Sequence, residues 1–377
     1  VKKLGRIFKG DGASKLSPSY LPLELPHREQ HINELLKIFS PLLEREKQIP
    51  WAVMIQGPSG TGKTSVVRAF FRTISSIASK KGIKIITDII NCRFIASDFS
   101  LAQAVALRVT PGASLRGFSA TEMIQNVIEY LRNNESYLIL ALDDFDSYIA
   151  RKKSKSKLVY DILKQQEITD SRMFMIFIGV NDYTMVFEES WIRNYVWRTK
   201  SKFEPYSWNE LKDVLGKRAE EVFESGVIDE NELLLASRIS SKFGYGSARY
   251  GLELLLFSGM EAEWEGNSKI NSEHLRLSLA RLEGKQEVTE LSDFSRDLKE
   301  FTLTLANIFE EENTSYLTIS SISSKLKEEK QKVVDYLNRL NFEGIVDLLE
   351  LNGDVYVGLF LPLRFISSVK QKDVNLP

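Results

Sequence analysis

Apolar positions recur along the chain at two periods, and the period changes with position. Four short runs, 51–56, 83–91, 137–142 and 173–180, have strand length and are rich in β-branched and aromatic residues. Amphipathic stretches such as 64–78 and 121–132 lie between them at helical spacing. Strands alternating with helices imply βαβ units and a mostly parallel sheet buried on both faces. After Pro205 the strand pattern stops, and 208–225, 230–243, 248–263 and 271–283 all carry the helical period, which predicts an all-α domain. The polar stretch 283–292 breaks that period and reads as a linker. Beyond it, helices are predicted at 294–309, 319–326 and 329–340, followed by alternating apolar runs at 345–351 and 355–361. Asn352-Gly353 joins those two runs and is a hairpin signal. Three helices and then a hairpin is the order of a winged helix-turn-helix.

One segment carries chemistry by itself. Gly57-Pro58-Ser59-Gly60-Thr61-Gly62-Lys63-Thr64 fits G-x-x-x-x-G-K-[ST] and is followed by Ser65. It lies between a predicted strand and a predicted helix, the setting this motif needs. Its glycines let successive N–H groups turn toward phosphate oxygens at the positive end of the helix. Lys63 would then reach the β- and γ-phosphates of ATP or ADP, and Thr64 would offer its hydroxyl to Mg2+. The run 138–142 is a buried strand that ends in Asp143 and Asp144. Beside a phosphate loop, Asp143 would hold Mg2+ partly through water and Asp144 would polarise the attacking water.

Composition narrows the rest. Fifty Lys and Arg against fifty-one Asp and Glu leave a net charge of -1, so any nucleic-acid contact must come from local patches. One cysteine, Cys92, suits a reducing compartment, and with three histidines it leaves little for a zinc site. No apolar run approaches the roughly 20 residues that cross a bilayer, and the first residues show no signal-peptide core. A cytoplasmic protein with no membrane contact is expected. Lys2, Lys3, Arg6, Lys9 and Lys15 against Asp11 make residues 1–20 read as a mobile basic arm or a solvated terminus.

From about Ser17 to Phe365 the pieces stand in an order that resembles the archaeal origin-recognition initiators, the Orc/Cdc branch of the AAA+ ATPases. Residues 20–29, with Tyr20, Leu21, Pro22, His27 and Arg28, are similar to the segment that lines the family's adenine pocket. Ile178-Gly179-Val180-Asn181-Asp182 resembles sensor 1, which implies that Asn181 contacts the γ-phosphate or orients water. Phe203-Glu204-Pro205-Tyr206 resembles the start of the helical lid, and Tyr206 joins the implied nucleotide-binding residues. Gly246-Ser247-Ala248-Arg249 resembles sensor 2, with Arg249 reaching for the γ-phosphate. For the arginine offered to a neighbouring subunit's nucleotide, Arg193 fits better by position than Arg198.

The resemblance implies an α/β AAA+ parallel-sheet P-loop domain over 1–202, an all-α lid over 203–285 and a C-terminal winged helix-turn-helix over 292–377. It implies a nucleoid-associated, ATP-controlled DNA-replication initiator that binds double-stranded origin DNA, with the replicative helicase and paralogous initiators as partners. The implied DNA contacts are Lys327, Lys330 and Lys332 near the recognition helix, and Arg108 and Arg116 in an insertion after the second strand. Arg151 to Lys157 is a further basic run that reads as an exposed loop or a second contact.

Two features depart from the family pattern. Asp144 stands where the family has Glu, and a carboxylate displaced by about 1 Å would slow hydrolysis by roughly 100-fold while leaving ATP binding intact. Residues 293–377 carry ten basic and fourteen acidic side chains, 10 − 14 = −4, and the wing around Glu350 and Asp354 has no arginine. Two other functions therefore stay open: a DNA-binding regulator, and an ATP switch whose winged helix binds protein.

Overall fold

The structure is a computed structural model that describes residues 7–44, 52–112, 114–151, 157–168, 172–181, 199–284 and 294–365. It divides into two compact units: Leu21–Pro205, and Tyr206–Pro377 together with the residues up to Tyr20.

In the first unit α1 (Glu29–Leu43) precedes β1 (Ala52–Gln56), α2 (Lys63–Lys80), β2 (Lys84–Asn91), α3 (Asp98–Val109) and α4 (Ala120–Asn133). Then come β3 (Ser136–Asp143), α5 (Phe145–Arg151), α6 (Lys157–Ile168), β4 (Met173–Gly179) and β5 (Lys200–Lys202). The strands form one parallel sheet in the order β2-β3-β4-β1-β5. Alternation along the strands divides the core in two. Leu138, Leu140 and Leu142 of β3, with Met173, Met175 and Phe177 of β4, face the cluster built on α3, α4, α5 and α6. Ile139, Ala141, Phe174, Ile176 and Ile178 face the cluster built on α1 and α2. The period-2 pattern of a doubly covered sheet accounts for both layers. The three-residue β5, Lys-Ser-Lys, has no apolar signal of its own and exists as a strand by pairing with β1.

In the second unit α7 (Trp208–Val222), α8 (Glu230–Lys242), α9 (Ala248–Trp264) and α10 (Ser272–Leu282) pack around one apolar cluster. All four begin at a polar residue whose side chain accepts from a first-turn N–H, Ser207, Asp229, Ser247 and Asn271, and at Ser207 and Asn271 a reciprocal capping box completes the cap. A third core follows: α11 (Arg296–Glu312), β6 (Tyr316–Thr318), α12 (Ile319–Leu326), α13 (Lys330–Phe342), β7 (Val346–Leu351) and β8 (Asp354–Leu359). Its antiparallel sheet runs β6-β8-β7, the winged-helix arrangement, with Asn352 (φ 54°) and Gly353 (φ 85°) in the predicted hairpin turn.

Residues 7–20 differ from the arm expected of the first twenty. Ile7, Phe8 and Leu16 are buried in the helical core, and Phe8 pairs as a bridge with Phe223. Three apolar side chains among the lysines are enough to anchor the segment, because burying each is favourable by about 1.5–3 kcal/mol. The expected linker falls mostly on 285–292, outside the described residues.

Candidate functional site

The phosphate loop leaves β1 and opens α2 as the sequence predicts. Its first residue, Gly57, has φ 152° and lies so close to Phe203 that an added Cβ would sit 2.2 Å from the Phe203 carbonyl oxygen. Gly62, with φ 91°, caps α2 in the left-handed region that favours glycine. Gly57 N–H donates to Gly179 O at 3.2 Å, which ties the loop to the end of β4. Lys63 Nζ donates to Gly57 O at 2.6 Å and Pro58 O at 2.7 Å, so its ammonium is held over the loop. Thr61 is buried, and its hydroxyl donates to Pro58 O at 2.9 Å.

The acidic tip of β3 meets the start of α2. Thr64 Oγ1 donates to the Asp143 carboxylate at 3.0 and 3.2 Å. Burial raises the Asp143 carboxyl above its ordinary value, and the Asp144 charge adds to the shift. A hydroxyl and a desolvated carboxylate side by side are the oxygen donors a hard divalent cation takes, so these residues fit Mg2+. Asp144 follows in the left-handed region, φ 51°, an uncommon backbone state for a residue with a side chain. Its carboxylate is paired with Arg93 Nε at 2.9 Å and accepts from Asn91 Nδ2 at 3.3 Å. The sequence reading had no role for Asn91 or Arg93. Parallel register places Asn91 opposite Asp143, so the alignment of β2 beside β3 was the signal that would have found it.

Asp146 Oδ2 accepts from Val180 N–H at 2.7 Å and so fixes the turn that carries Asn181, which is exposed just beyond β4. The sheet order thus brings the loop, Asp143, Asp144 and Asn181 to one edge, the carboxyl ends of adjacent strands, where ligands bind in open α/β sheets. Cys92, buried beside this edge, has its thiol pushed up to about 12 by burial, so it is not a nucleophile at neutral pH.

The other expected nucleotide residues divide between the units. Leu21, Pro22, His27 and Arg28 belong with the phosphate loop. Arg28 is buried, and His27 is exposed with φ 63°. Tyr20 and Tyr206 belong to the helical unit. Tyr20 donates to Glu221 at 2.9 Å under the Arg218 guanidinium, and Tyr206 N–H donates to Gly246 O at 3.0 Å, bracing the turn before Arg249. Arg249 is exposed in the first turn of α9. Arg193, Arg198 and Asp182 lie outside the described residues, as do 152–156 of the basic run. Arg151 is occupied with Cys92 O, Arg93 O and Ile95 O.

Of the expected DNA contacts, Arg108 pairs with Asp88 at 3.3 Å and Arg116 is exposed in the α3–α4 connection. Lys327 and Lys330 are exposed at the turn into α13, while Lys332 is held by Glu328 at 3.0 Å. Lys325, also in that cluster, is held by Glu312. No helix among the described residues is long and apolar enough to cross a membrane.

Comparison with known proteins places these features in a family. A family model described as an AAA ATPase domain matches residues 24–176, and one described as a Cdc6 AAA+ ATPase-type lid domain matches 212–280. The ORC1-type DNA replication protein 2 of Saccharolobus solfataricus is 30% identical over 356 residues, covering 88% of this chain and 84% of that protein. The ORC1-type DNA replication protein of Thermococcus kodakarensis is 27% identical, covering 91% and 84%. Among solved structures, Cdc6p from Pyrobaculum aerophilum matches with TM-score 0.77 at 22% identity, over 98% of this chain and all of that one. The Aeropyrum pernix ORC1 protein in complex with DNA matches with TM-score 0.63 at 23% identity, over 98% and 97%.

Proposed function

We infer, for a chain that belongs to the ORC1-type DNA replication proteins, that it is an ATP-controlled initiator which binds origin duplex DNA and helps recruit the replicative helicase. The observation that carries this reading is the edge where Lys63, Thr64 and Asp143 converge, Thr64 Oγ1 lying 3.0 Å from the Asp143 carboxylate. The three segments 1–202, 203–285 and 292–377 serve in it as nucleotide-binding domain, lid and winged helix, except that residues 7–20 of the first pack with the lid helices.

In this reading the loop N–H groups and Lys63 bind the phosphates of ATP or ADP. Thr64 and Asp143 hold Mg2+, which supplies charge neutralisation on the phosphate oxygens when bound. Asp144 orients and polarises the attacking water, Asn181 positions it, and Arg249 together with the trans arginine Arg193 completes the set around the γ-phosphate. Hydrolysis is slow, because Asp144 is short for the task and is drawn toward Arg93 and Asn91. A slow ATPase suits a switch better than a motor.

The DNA part of the reading draws on the relative from Aeropyrum pernix, whose ORC1 structure contains DNA. Lys327, Lys330, Lys332, Arg108 and Arg116 are the proposed phosphate contacts. One observation favours the alternative of a winged helix that binds protein: Lys325 and Lys332 are already neutralised by Glu312 and Glu328. Lys63→Ala is the direct test of the nucleotide site. It is expected to abolish ATP and ADP binding by calorimetry, and unchanged affinity would remove the assignment. Duplex binding titrated across salt with ATP and with ADP tests the switch.

A further inference from the structure

Arg28 belongs by sequence to the segment implied to line the base, yet its surroundings point to the phosphates. The residue is 4% exposed. Its guanidinium donates to three main-chain carbonyls: Nε to Thr61 O at 2.9 Å, Nη1 to His27 O at 3.0 Å, and Nη2 to Glu204 O at 3.0 Å. The Phe203 ring lies under it, 5.5 Å from the guanidinium carbon to the centroid. One buried cation therefore joins the start of α1, the phosphate loop and the residues that follow β5.

The contact with Thr61 matters because of peptide geometry. In a planar trans peptide the carbonyl and the following N–H point in opposite directions. Thr61 O and Gly62 N–H share one peptide plane, so a carbonyl anchored on Arg28 turns the Gly62 N–H away from Arg28. Gly62 caps α2 with φ 91°, and its N–H stands at the positive end of that helix, where anions bind. Glycine tolerates many orientations of this peptide, so the sequence of the loop does not fix it. Arg28 does. The loop has a second support on the same side, since Gly57 lies against the Phe203 carbonyl and Arg28 holds the next carbonyl, Glu204 O. The start and the middle of the loop both lean on residues 203 and 204.

We propose that Arg28 is a positioning residue that presets the phosphate loop by fixing the Thr61–Gly62 peptide, with no contact to the base. The inference rests on reading the loop as a nucleotide site. Its signature is a loss of affinity that depends on the phosphates and ignores the base. The full chain, Arg28→Met and Arg28→Lys would each be titrated with ATP, with ITP, whose base lacks the 6-amino group, and with inorganic tripolyphosphate. Circular dichroism would fix a temperature at which each variant is folded. Arg28→Met should weaken all three ligands alike, by about ten-fold for the loss of a charge-assisted hydrogen bond that orders the site. Arg28→Lys should fall between, because an ammonium keeps the charge but cannot hold the separate carbonyls that the guanidinium fork reaches. If Arg28→Met does not fold, the intermediate loss in Arg28→Lys carries the test. A loss confined to ATP would make Arg28 a base contact and overturn the proposal. Lower melting temperature with unchanged affinities would make it a structural residue and overturn it equally. Wild-type protein that binds none of the ligands would instead overturn the reading of the loop and this inference together.

Discussion

Asp144 at the tip of β3 and Asp347 on β7 both face an arginine, and the two pairs are built for different ends. Asp144 and Arg93 keep 32% and 66% of their side chains exposed. Asp347 and Arg238 keep 3% and 20%. The first pair is reached by solvent. The second is a two-point contact, Nε and Nη2 of Arg238 on α8 donating to the two carboxylate oxygens at 2.7 and 2.5 Å, with Tyr316 OH adding a third donor at 3.0 Å. Around it, Ser315 donates to Glu232 at 3.0 Å, and the buried Arg276 donates to Leu359 O at 2.9 Å. The winged-helix sheet is thereby wired to the helices before it, and the two belong to one compact unit. An accessible ion pair is a site for chemistry or regulation; a desolvated, fully bonded one sets geometry.

The largest expected effect is on stability. Asp347→Ala leaves Arg238 buried without its acid and should cost about 3–5 kcal/mol. Arg93→Ala, in an exposed pair, should cost no more than about 1 kcal/mol. Denaturant titration of the two variants reads the difference. Equal losses would erase the distinction between the clusters.

Next in size is the rate. Asp144→Glu restores the carboxylate reach and should raise turnover by up to about 100-fold at unchanged nucleotide affinity. Arg93→Ala should act in the same direction and less strongly, because it frees the carboxylate without lengthening it. Steady-state phosphate release measures both. A lower rate in Asp144→Glu would mean that the geometry around Asn91 and Arg93 is already fitted to aspartate.

The two regions also differ in how much of them the sequence declares. At the strand tips the candidate groups sit in short motifs, since a loop between a strand and a helix needs its glycines and its lysine at fixed spacing. Asp143 and the loop were therefore legible from local order, whereas Asn181 was singled out only through the family resemblance. Asn91 and Arg93, the partners of Asp144, were not legible, because they arrive from the end of the neighbouring β2 and the turn after it. In the second unit the periods declared the seven α-helices among the described residues and the hairpin, but not the short 3-10 turn at Gly12–Leu16. The polar network was hidden, since Arg238 and Asp347 are 109 residues apart and each reads alone as a solvated charge. β5 and β6 were missed because three residues hold too little pattern. Ile7, Phe8 and Leu16 were overlooked among lysines that dominate the composition of their segment.

The buried network has a pH signature of its own. Burial raises the Glu232 carboxyl to about 7 from 4.5, and a hydrogen bond to Asp229 contributes. Between those values the folded chain keeps a proton that the unfolded chain has released. This contribution to stability is full below 4.5 and is lost as pH rises through about 7. Asp229 is shifted down, so its own contribution is lost only as pH falls through the acid range, outside that window. The melting temperature of the second unit should therefore decline from mildly acidic to mildly alkaline pH. Glu232→Gln, which retains a donor toward Asp229, should flatten the slope, and an unchanged slope would place the titration elsewhere.

The smallest effects, and the ones that bear most on function, concern DNA. Lys330 opens α13 and is exposed, whereas Lys332 must leave Glu328 before it can meet a phosphate. Each phosphate contact contributes about 0.9 to the slope of log affinity against log salt. Lys330→Ala should therefore reduce the slope by about one unit, and Lys332→Ala by less, because breaking its ion pair offsets part of the gain. The same logic orders the insertion: Arg108 is tied to Asp88, so Arg116→Ala should weaken binding more than Arg108→Ala. With an acidic wing, the insertion should carry an unusually large share, and Arg116→Ala should hurt at least as much as either lysine change. Because these side chains would position the duplex without reading bases, all sequences should lose affinity alike. If every one of these variants binds duplex like the parent at low and moderate salt, the winged helix does not contact DNA. The paired lysines and the net negative charge of that domain would then be explained by a protein partner, and the nucleotide edge would be the switch that controls it.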